Sequence, residues 1–173
     1  MRRLFVLLAL LAVVLFALPT PHVVGEDSFT ERLPGASLVP GFVSYTTRAE
    51  ALPATGAAVE WRVVEDSPGP VDGRPPFAIH AVEAIGVSCF GQRGTLRVSF
   101  FNDRLYEVCF SADNSGALLA ELRSQGLELV DGMEVARGDV AVAAFTTLHG
   151  RRYVRWQDVR LAKQMERWLW KYS

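Results

Sequence analysis

The sequence predicts an α+β fold in which an antiparallel β-sheet of meander hairpins is covered by helices on one side and preceded by an N-terminal hydrophobic signal or anchor segment. Apolar and polar residues alternate along several short segments, as they do in half-buried strands. Two helical segments each follow a group of strands, which is an order typical of α+β proteins. An unbroken apolar run also fills residues 4–18, and such a run near the start of a chain indicates export.

The first 25 residues, which we call the leader, have the form of a secretory signal. Two arginines precede the apolar run and two prolines follow it closely, and signals combine a positive stretch with about 7–15 apolar residues. A spanning helix needs about 20, so two outcomes stay open: residues 1–25 are a cleaved signal peptide or an uncleaved membrane anchor. Both predict a bacterial protein in the periplasm or at the extracytoplasmic face of the inner membrane.

The chain has 173 residues and a formal net charge of −1. After the leader we expect a tether at residues 26–41, which are rich in proline, glycine and small residues, and a single α+β domain at residues 42–173. A net charge this close to zero predicts no nucleic-acid partner, because nucleic-acid-binding domains carry strongly basic surfaces.

Three consecutive strands are predicted at residues 78–90, 95–101 and 105–111. Each is rich in β-branched and aromatic residues, and each is bounded by glycine, asparagine or aspartate, which mark turns. An earlier strand is predicted at residues 59–65. A short helix is predicted at residues 48–52, because a capping box precedes it and a proline ends it.

The two-residue period of side chains in strands predicts the pairing within the second hairpin. Val98 and Val108 face each other only if Phe101 pairs with Leu105, which leaves a three-residue loop. A two-residue turn would place Val98 opposite Glu107. The hydrophobic pattern therefore predicts the three-residue loop.

The C-terminal half is predicted to continue with a helix at residues 117–124, strands at 127–130, 140–148 and 152–156, and a final helix at 159–172. Asparagine, aspartate and serine side chains at the starts of the helices are suitable caps. Apolar residues at helical spacing predict one buried stripe on the final helix. Its predicted members are Ala162, Met165, Leu169 and Tyr172, flanked by Leu161 and Trp168.

Cys89 and Cys109 are the two cysteines of the sequence, and export favours their pairing in a disulfide. The predicted strands place them on opposite faces and two strand spacings apart, about 9–10 Å. A disulfide needs Cα atoms within about 7 Å. The sequence therefore leaves two states open, a structural disulfide and a pair of free thiols.

The sequence predicts no metal site, no cofactor and no catalytic site. Its three histidines are not spaced with other metal ligands. Residues 86–91 differ from the nucleophile elbow Gly-x-Ser-x-Gly because Phe90 stands at the position of the second glycine. A small hydrolase stays as an alternative, and it requires Ser88 to meet His80, His149 or a carboxylate.

The C-terminal segment and the hairpin tip supply the predicted interaction surface. Arginine and aromatic residues are enriched at binding surfaces, and basic helices with tryptophan also bind anionic membranes. The alternative is that two of the tryptophans, Trp156 and Trp168, fill the core. The predicted surface comprises Arg104, Trp156, Arg160, Trp168 and Trp170.

Two segments resemble parts of uncharacterised exported bacterial proteins. They are Phe-Phe-Asn-Asp-Arg-Leu at residues 100–105 and Tyr-Val-Arg-Trp-Gln-Asp-Val-Arg-Leu at 153–161, together with Trp168 and the closing Tyr172 and Ser173. The layout is also similar to small envelope modules of the outer-membrane assembly lipoprotein type, although no lipidation cysteine follows the leader. The resemblance implies a fold and a compartment, and it implies no activity.

These observations together predict a non-enzymatic cell-envelope module that binds another envelope protein or has a structural role. The alternative is a peripheral module that binds an anionic membrane surface through the basic, Trp-bearing C-terminal helix. The two differ in whether the partner is a protein or a lipid surface.

Overall fold

A computed structural model describes residues 29–55, 59–70 and 72–173, and the predicted leader lies outside them. The strands are β1 (Ser37–Val39), β2 (Phe42–Val43), β3 (Arg62–Ser67), β4 (Ile79–Cys89), β5 (Gln92–Phe101), β6 (Arg104–Ala112), β7 (Glu134–Arg137), β8 (Val140–Thr146) and β9 (Arg152–Asp158). The helices are α1 (Arg48–Ala51), which a 3-10 turn at Leu52–Thr55 continues, α2 (Ser115–Ser124) and α3 (Val159–Tyr172).

Strands β3 to β9 form one sheet in the order β3-β4-β5-β6-β9-β8-β7. Every pairing in it is antiparallel. The meander β4-β5-β6 is followed by α2 and the meander β7-β8-β9 by α3, and the two meanders meet where β6 pairs with β9. The predicted α+β class with an antiparallel sheet is therefore confirmed.

One side of the sheet, which we call the core face, carries the main hydrophobic core. Val98, Val108 and Trp156 stand in one row across β5, β6 and β9. Leu118 and Leu122 of α2 pack onto this face. Burial of one such leucine contributes about 1.5–3 kcal/mol, so the core face holds α2 in place.

The opposite side, which we call the groove face, is covered by α3 at one end. There Leu161 packs with Phe101 and Tyr106 in a second hydrophobic cluster. Phe101 follows Phe100 of the core cluster, and neighbours along a strand point to opposite faces. The predicted cover of helices on one side is therefore wrong: the apolar stripes of α2 and α3 meet different clusters, on opposite faces.

The β5–β6 hairpin has a two-residue turn where the sequence predicted a three-residue loop. Asn102 and Asp103 have φ values of 49° and 55°, as in the type I′ turns that match the twist of hairpin strands. A β-bulge follows at Tyr106, so Val98 still faces Val108. The predicted loop length is wrong because a bulge can restore the register, and the predicted pairing of the two valines is confirmed.

Residues 29–41 of the predicted tether are packed into the fold. They include β1, and Phe29, Leu38 and Val39 are buried. The composition of this segment predicted irregular chain, because no periodic pattern shows which of its few apolar residues find partners. Residues 29–41 therefore pack against the domain, whereas the sequence predicted an irregular tether there.

The buried side of helix α3 is centred on the predicted flanks of the stripe rather than on the stripe itself, although Ala162 is buried as predicted. Leu161, Gln164 and Trp168 are among its buried residues, whereas Leu169 is 41% exposed. Gln164 is buried because its side chain accepts a hydrogen bond from Arg104, a partner that hydrophobic spacing cannot predict.

Among the described residues, no helix is both long and apolar enough to cross a bilayer.

Candidate functional site

The groove face leaves an open polar depression, which we call the groove, beside the cluster under α3. Its volume is about 440 Å³, and its walls come from β4, β5, β6 and β9 and from the β8–β9 turn. The side chains that matter for its chemistry are Glu83, Arg97, Glu107, Arg151, Tyr153 and Arg155.

Two rows of cross-strand neighbours form the floor of the groove. Arg97 of β5 pairs with Cys109 of β6, and Cys109 pairs with Arg155 of β9. Glu107 stands in the next row, opposite Gln157. Directly opposed residues lie about 4.5–5.5 Å apart at Cβ, so two guanidinium groups approach Glu107 from the flanking strands.

The Glu107 carboxylate is a partly buried charge in the groove. Gln157 Nε2 donates to its Oε2 at 3.1 Å, and Ser99 Oγ donates to its Oε1 at 3.5 Å. Burial raises the pKa of Glu107, and the charges of Arg155 and Arg97 offset part of that rise. A carboxyl group with a raised pKa inside a polar depression is a candidate functional group.

Arg97 and Arg155 are held by acidic side chains at the rim. Arg97 Nη2 lies 2.9 Å from Glu65 Oε2, and Arg155 forms an ion pair with Glu134. The Arg155 guanidinium also lies 4.8 Å from the centre of the Phe145 ring. Within the described residues, the Nε atoms of both arginines are buried without a hydrogen-bond partner. The two charges are therefore fixed in position and largely matched.

Arg151 is the lining arginine that has no ion pair within the described part of the chain. Its Nε donates to Ser111 Oγ at 2.8 Å, and its Nη2 donates to Thr95 Oγ1 at 2.7 Å. Two neutral hydroxyl groups thus orient the guanidinium and leave its charge unmatched. This geometry suits the binding of an anionic group from outside.

The two thiols are free in this structure. Cys89 packs against the core cluster and Cys109 lies in the groove, so they stand on opposite faces, as the predicted strands place them. The disulfide that the sequence left open is not formed, because β5 separates the two strands. Burial raises the pKa of Cys89 to about 11 and also raises that of Cys109, to which the Glu107 charge adds. Both thiols therefore stay protonated at neutral pH.

Arg104, predicted as a surface residue, is 2% exposed. Its Nη1 donates to the carbonyl of Glu31 at 2.6 Å and to Gln164 Oε1 at 3.0 Å, and its Nη2 donates to the carbonyl of Phe29 at 2.5 Å. Burial lowers the pKa of Arg104. The predicted docking role is wrong because the two-residue turn aims this side chain beneath α3, where it holds the N-terminal segment.

The three tryptophans of the predicted surface have different environments. Trp156 is 4% exposed and stacks on Phe90 at 5.4 Å between ring centres. Trp168 is equally buried, and its Nε1 donates to the carbonyl of Pro75 at 2.9 Å. Both are core residues, as the alternative interpretation had it, and their prediction as a binding surface is wrong. Trp170 is 90% exposed.

Arg160 is bound within the protein. Its Nη1 lies 2.9 Å from Asp139 Oδ2, and its Nη2 lies 2.6 Å from Asp158 Oδ2. Asp158 is buried at the start of α3 and also accepts a hydrogen bond from Ser44. Burial acts to raise the pKa of Asp158, but the hydrogen bonds from Arg160 and Ser44 outweigh it and keep that pKa below its usual value. Arg160 is therefore a structural residue rather than a free surface cation, contrary to its predicted place in the interaction surface.

The residues of the hydrolase alternative are not brought together. His80 Nδ1 lies 3.2 Å from Asp66 Oδ1, but its Nε2 faces Arg48 Nη1 at 3.1 Å. Ser88 lies at the other end of β4, about 26 Å away along an extended strand. His149 is exposed at the β8–β9 turn.

The groove residues were not identified from the sequence, because the alternation of side chains assigns them to the solvent side of each strand. Arg97, Glu107 and Arg155 alternate with core residues, which predicts that they share a face. The alternation is the signal that could have identified these three residues. It would have sufficed only together with the long-range pairing of β6 with β9, which brings the three side chains close to one another. In the described part of the chain, no group of three His, Cys, Asp or Glu side chains could hold a metal ion.

No family model, no curated protein and no solved structure matches this chain.

Proposed function

We propose that this protein is a non-enzymatic binding module of the bacterial cell envelope, exported by its leader, and that the groove binds another envelope protein. The observation that carries the proposal is the groove itself, a polar depression of about 440 Å³ on a part of the sheet that α3 leaves open. Its walls are preorganised, because Arg97 and Arg155 are already ion-paired to their neighbours.

The side chains of the groove favour recognition over reaction. The Ser111 hydroxyl donates to the carbonyl of Arg152 and accepts from Arg151, so no base is placed to activate it. The Cys109 thiol is protonated at neutral pH for the reason given above. Among the residues that line the groove there is no histidine. Binding rather than covalent catalysis is the function that these groups support.

Arg151 indicates the chemistry of the partner. Its unmatched charge fits an acidic side chain, and a hydrogen bond to a charged group contributes about 1.5–3 kcal/mol. The neighbouring Tyr153 adds an aromatic surface, and arginine and tyrosine are among the residues that most often dominate binding energy. We therefore propose a protein partner that inserts an Asp or Glu side chain between these two residues.

Photo-crosslinking in intact cells tests the proposal. Benzoylphenylalanine, whose benzoyl group extends from the para position of the ring, replaces Tyr153 in the otherwise unchanged protein and in two charge variants. Arg151→Glu reverses the charge in the groove. Arg123→Glu is the matched control, because Arg123 is an exposed residue of α2 with a weak ion pair 3.9 Å long.

The expected result is one adduct of defined mass, which Arg151→Glu reduces at least tenfold and Arg123→Glu leaves unchanged. The absence of a discrete adduct, or an adduct equally strong in Arg151→Glu, would overturn the proposal. Circular dichroism and a denaturation midpoint measured for each variant show whether the loss of an adduct follows from unfolding.

A further inference from the structure

The outward face of α3 is centred on Trp170. This residue lies nine positions after Leu161, which is two and a half helical turns, so the two point in opposite directions from the helix axis. Leu161 is fully buried and Trp170 is 90% exposed. A tryptophan at the centre of a solvent-facing helix surface is an unusual use of a large apolar side chain, because most such residues are at least half buried.

Basic residues surround Trp170 on the same face. Lys163, Arg167 and Lys171 follow one another at intervals of four residues, which aligns them along one side of a helix. All three are exposed, and Glu166 is the acidic residue beside them. The outward face is therefore positive overall and carries one large aromatic side chain, the pattern of helices that lie on anionic bilayers.

The chain enters the described fold at the C-terminal end of α3. Phe29, the first described residue, packs edge-on against Tyr172 with ring centres 6.1 Å apart. Arg104 holds the carbonyl of Phe29, and Arg74 Nη1 donates to the carbonyl of Tyr172 at 2.6 Å. The N-terminal segment and the end of α3 are thus fixed side by side, two residues from Trp170.

The length of chain before Phe29 limits how far this face can be from a membrane that holds the leader. Ten residues, 19–28, separate the apolar run at 4–18 from Phe29. A fully extended chain spans at most about 3.5 Å per residue, so the domain lies within about 35 Å of the end of the run. The point of entry is at the C-terminal end of α3, where Phe29 contacts Tyr172.

We propose that the outward face of α3 lies on the anionic phospholipid bilayer beside the leader, with Trp170 in the interfacial layer and Lys163, Arg167 and Lys171 against the headgroups. This surface is separate from the groove, so it orients the module on the membrane while the groove stays free for a protein. Interfacial tryptophan and clustered basic residues are the two features by which proteins recognise such a surface.

Depth-dependent quenching of tryptophan fluorescence tests this proposal. The full-length protein, with its leader, is reconstituted in vesicles of phosphatidylcholine and phosphatidylglycerol that carry brominated acyl chains. Three proteins are compared: the unchanged chain, Trp170→Phe and Trp61→Phe. Trp61 is the matched control because it packs against the cluster on the core face.

The expected result is strong quenching by brominated lipid in the unchanged chain and in Trp61→Phe, and loss of most of that quenching in Trp170→Phe. Replacement of phosphatidylglycerol by phosphatidylcholine, or added salt, weakens the quenching. Each of Lys163→Gln and Arg167→Gln weakens the association of the helix with anionic lipid about fivefold. Arg123→Gln on α2 leaves it unchanged.

Equal quenching in the unchanged chain and in Trp170→Phe would overturn the proposal, because the leader alone would then hold the protein. Acrylamide in the aqueous phase distinguishes the other occupants. A Trp170 shielded from both acrylamide and brominated lipid would be covered by protein, such as a second copy, and a Trp170 open to acrylamide would be covered by nothing. Either outcome contradicts a lipid-facing surface.

Discussion

Replacement of Arg104 by methionine tests the role of this buried guanidinium. The change keeps an unbranched side chain and removes the donors to the carbonyls of Phe29 and Glu31 and to Gln164. An acceptor left buried without a partner costs about 1–3 kcal/mol. Three such acceptors give a sum of roughly 3–9 kcal/mol before other terms are considered.

Two effects reduce that sum. The guanidinium of Arg104 no longer has to be desolvated, and that desolvation costs several kcal/mol for a buried ion. The carbonyls of Phe29 and Glu31 can also reach water if the N-terminal segment detaches. We therefore expect Arg104→Met to lower the free energy of unfolding by about 2–4 kcal/mol, with the loss concentrated at residues 29–34.

Two measurements check this result. Denaturant unfolding followed by tryptophan fluorescence gives the free energy of unfolding, and amide hydrogen exchange shows whether residues 29–34 lose protection before the sheet does. Arg123→Met on the exposed side of α2 is the control and changes stability by less than about 0.5 kcal/mol. Gln164→Met removes a single acceptor, so it costs about 1 kcal/mol and still folds if Arg104→Met does not. An unchanged midpoint in Arg104→Met, with unchanged protection of residues 29–34, would refute the reasoning.

Four further predictions concern Asp158, Glu107 and the two cysteines. Asp158→Ala removes the cap of α3 and the partner of Ser44 and Arg160. We therefore expect it to lower the free energy of unfolding, measured by chemical denaturation, by about 3 kcal/mol. Asp158→Asn keeps a cap acceptor and should lower it less. The pKa of Asp158 is lower in the folded than in the unfolded state. The contribution of the ionised carboxylate to stability is therefore present above about pH 4 and is lost as pH falls through the folded pKa. The melting temperatures of the unchanged chain and of Asp158→Asn should converge in acid. The folded pKa of Glu107 is raised by burial, so stability falls as pH rises from its usual pKa through the folded one; Glu107→Gln should therefore melt higher than the unchanged chain at pH 7 and show no such advantage at pH 4. Burial raises the pKa of the Cys89 thiol from 9.0 to about 11, so at pH 8 it has about a hundredfold less thiolate than an ordinary cysteine. Mass spectrometry after alkylation should find both cysteines modified in urea and nearly unmodified in the native protein. A pair that stays unmodified in urea would show a disulfide.

The alternation of side chains predicted most of the strands that build the sheet, but it placed one at residues 127–130, where the structure has no strand, and it missed β7. It placed Cys89 with the core and Cys109 opposite, and it paired Val98 with Val108, because side-chain direction along a strand is a local property of the backbone. The caps of the helices were equally predictable, since the side chains of Asn114 and Asp158 accept hydrogen bonds from backbone amides in the first turn of their own helices. Local chemistry of this kind needs no knowledge of distant contacts.

The candidate site depended on contacts that the sequence does not display. Arg104 stands at a hairpin tip, where a charged residue is normally exposed, but its acceptors lie more than 70 residues earlier and 60 residues later in the chain. The groove exists because β6 pairs with β9, which brings Arg97, Glu107 and Arg155 into adjacent rows. No local pattern specifies either arrangement.

The sequence by itself determined the α+β class, the faces of the central strands and the capped helices, because each of these follows from the order of neighbouring residues. Only the tertiary structure decided that α2 and α3 cover opposite faces, that a bulge at Tyr106 corrects the register, and that Arg104 and two tryptophans are buried. Those features depend on the closure of long loops and on which apolar surfaces meet. The physical reason is that burial is a property of the assembled fold, whereas periodicity is a property of the chain.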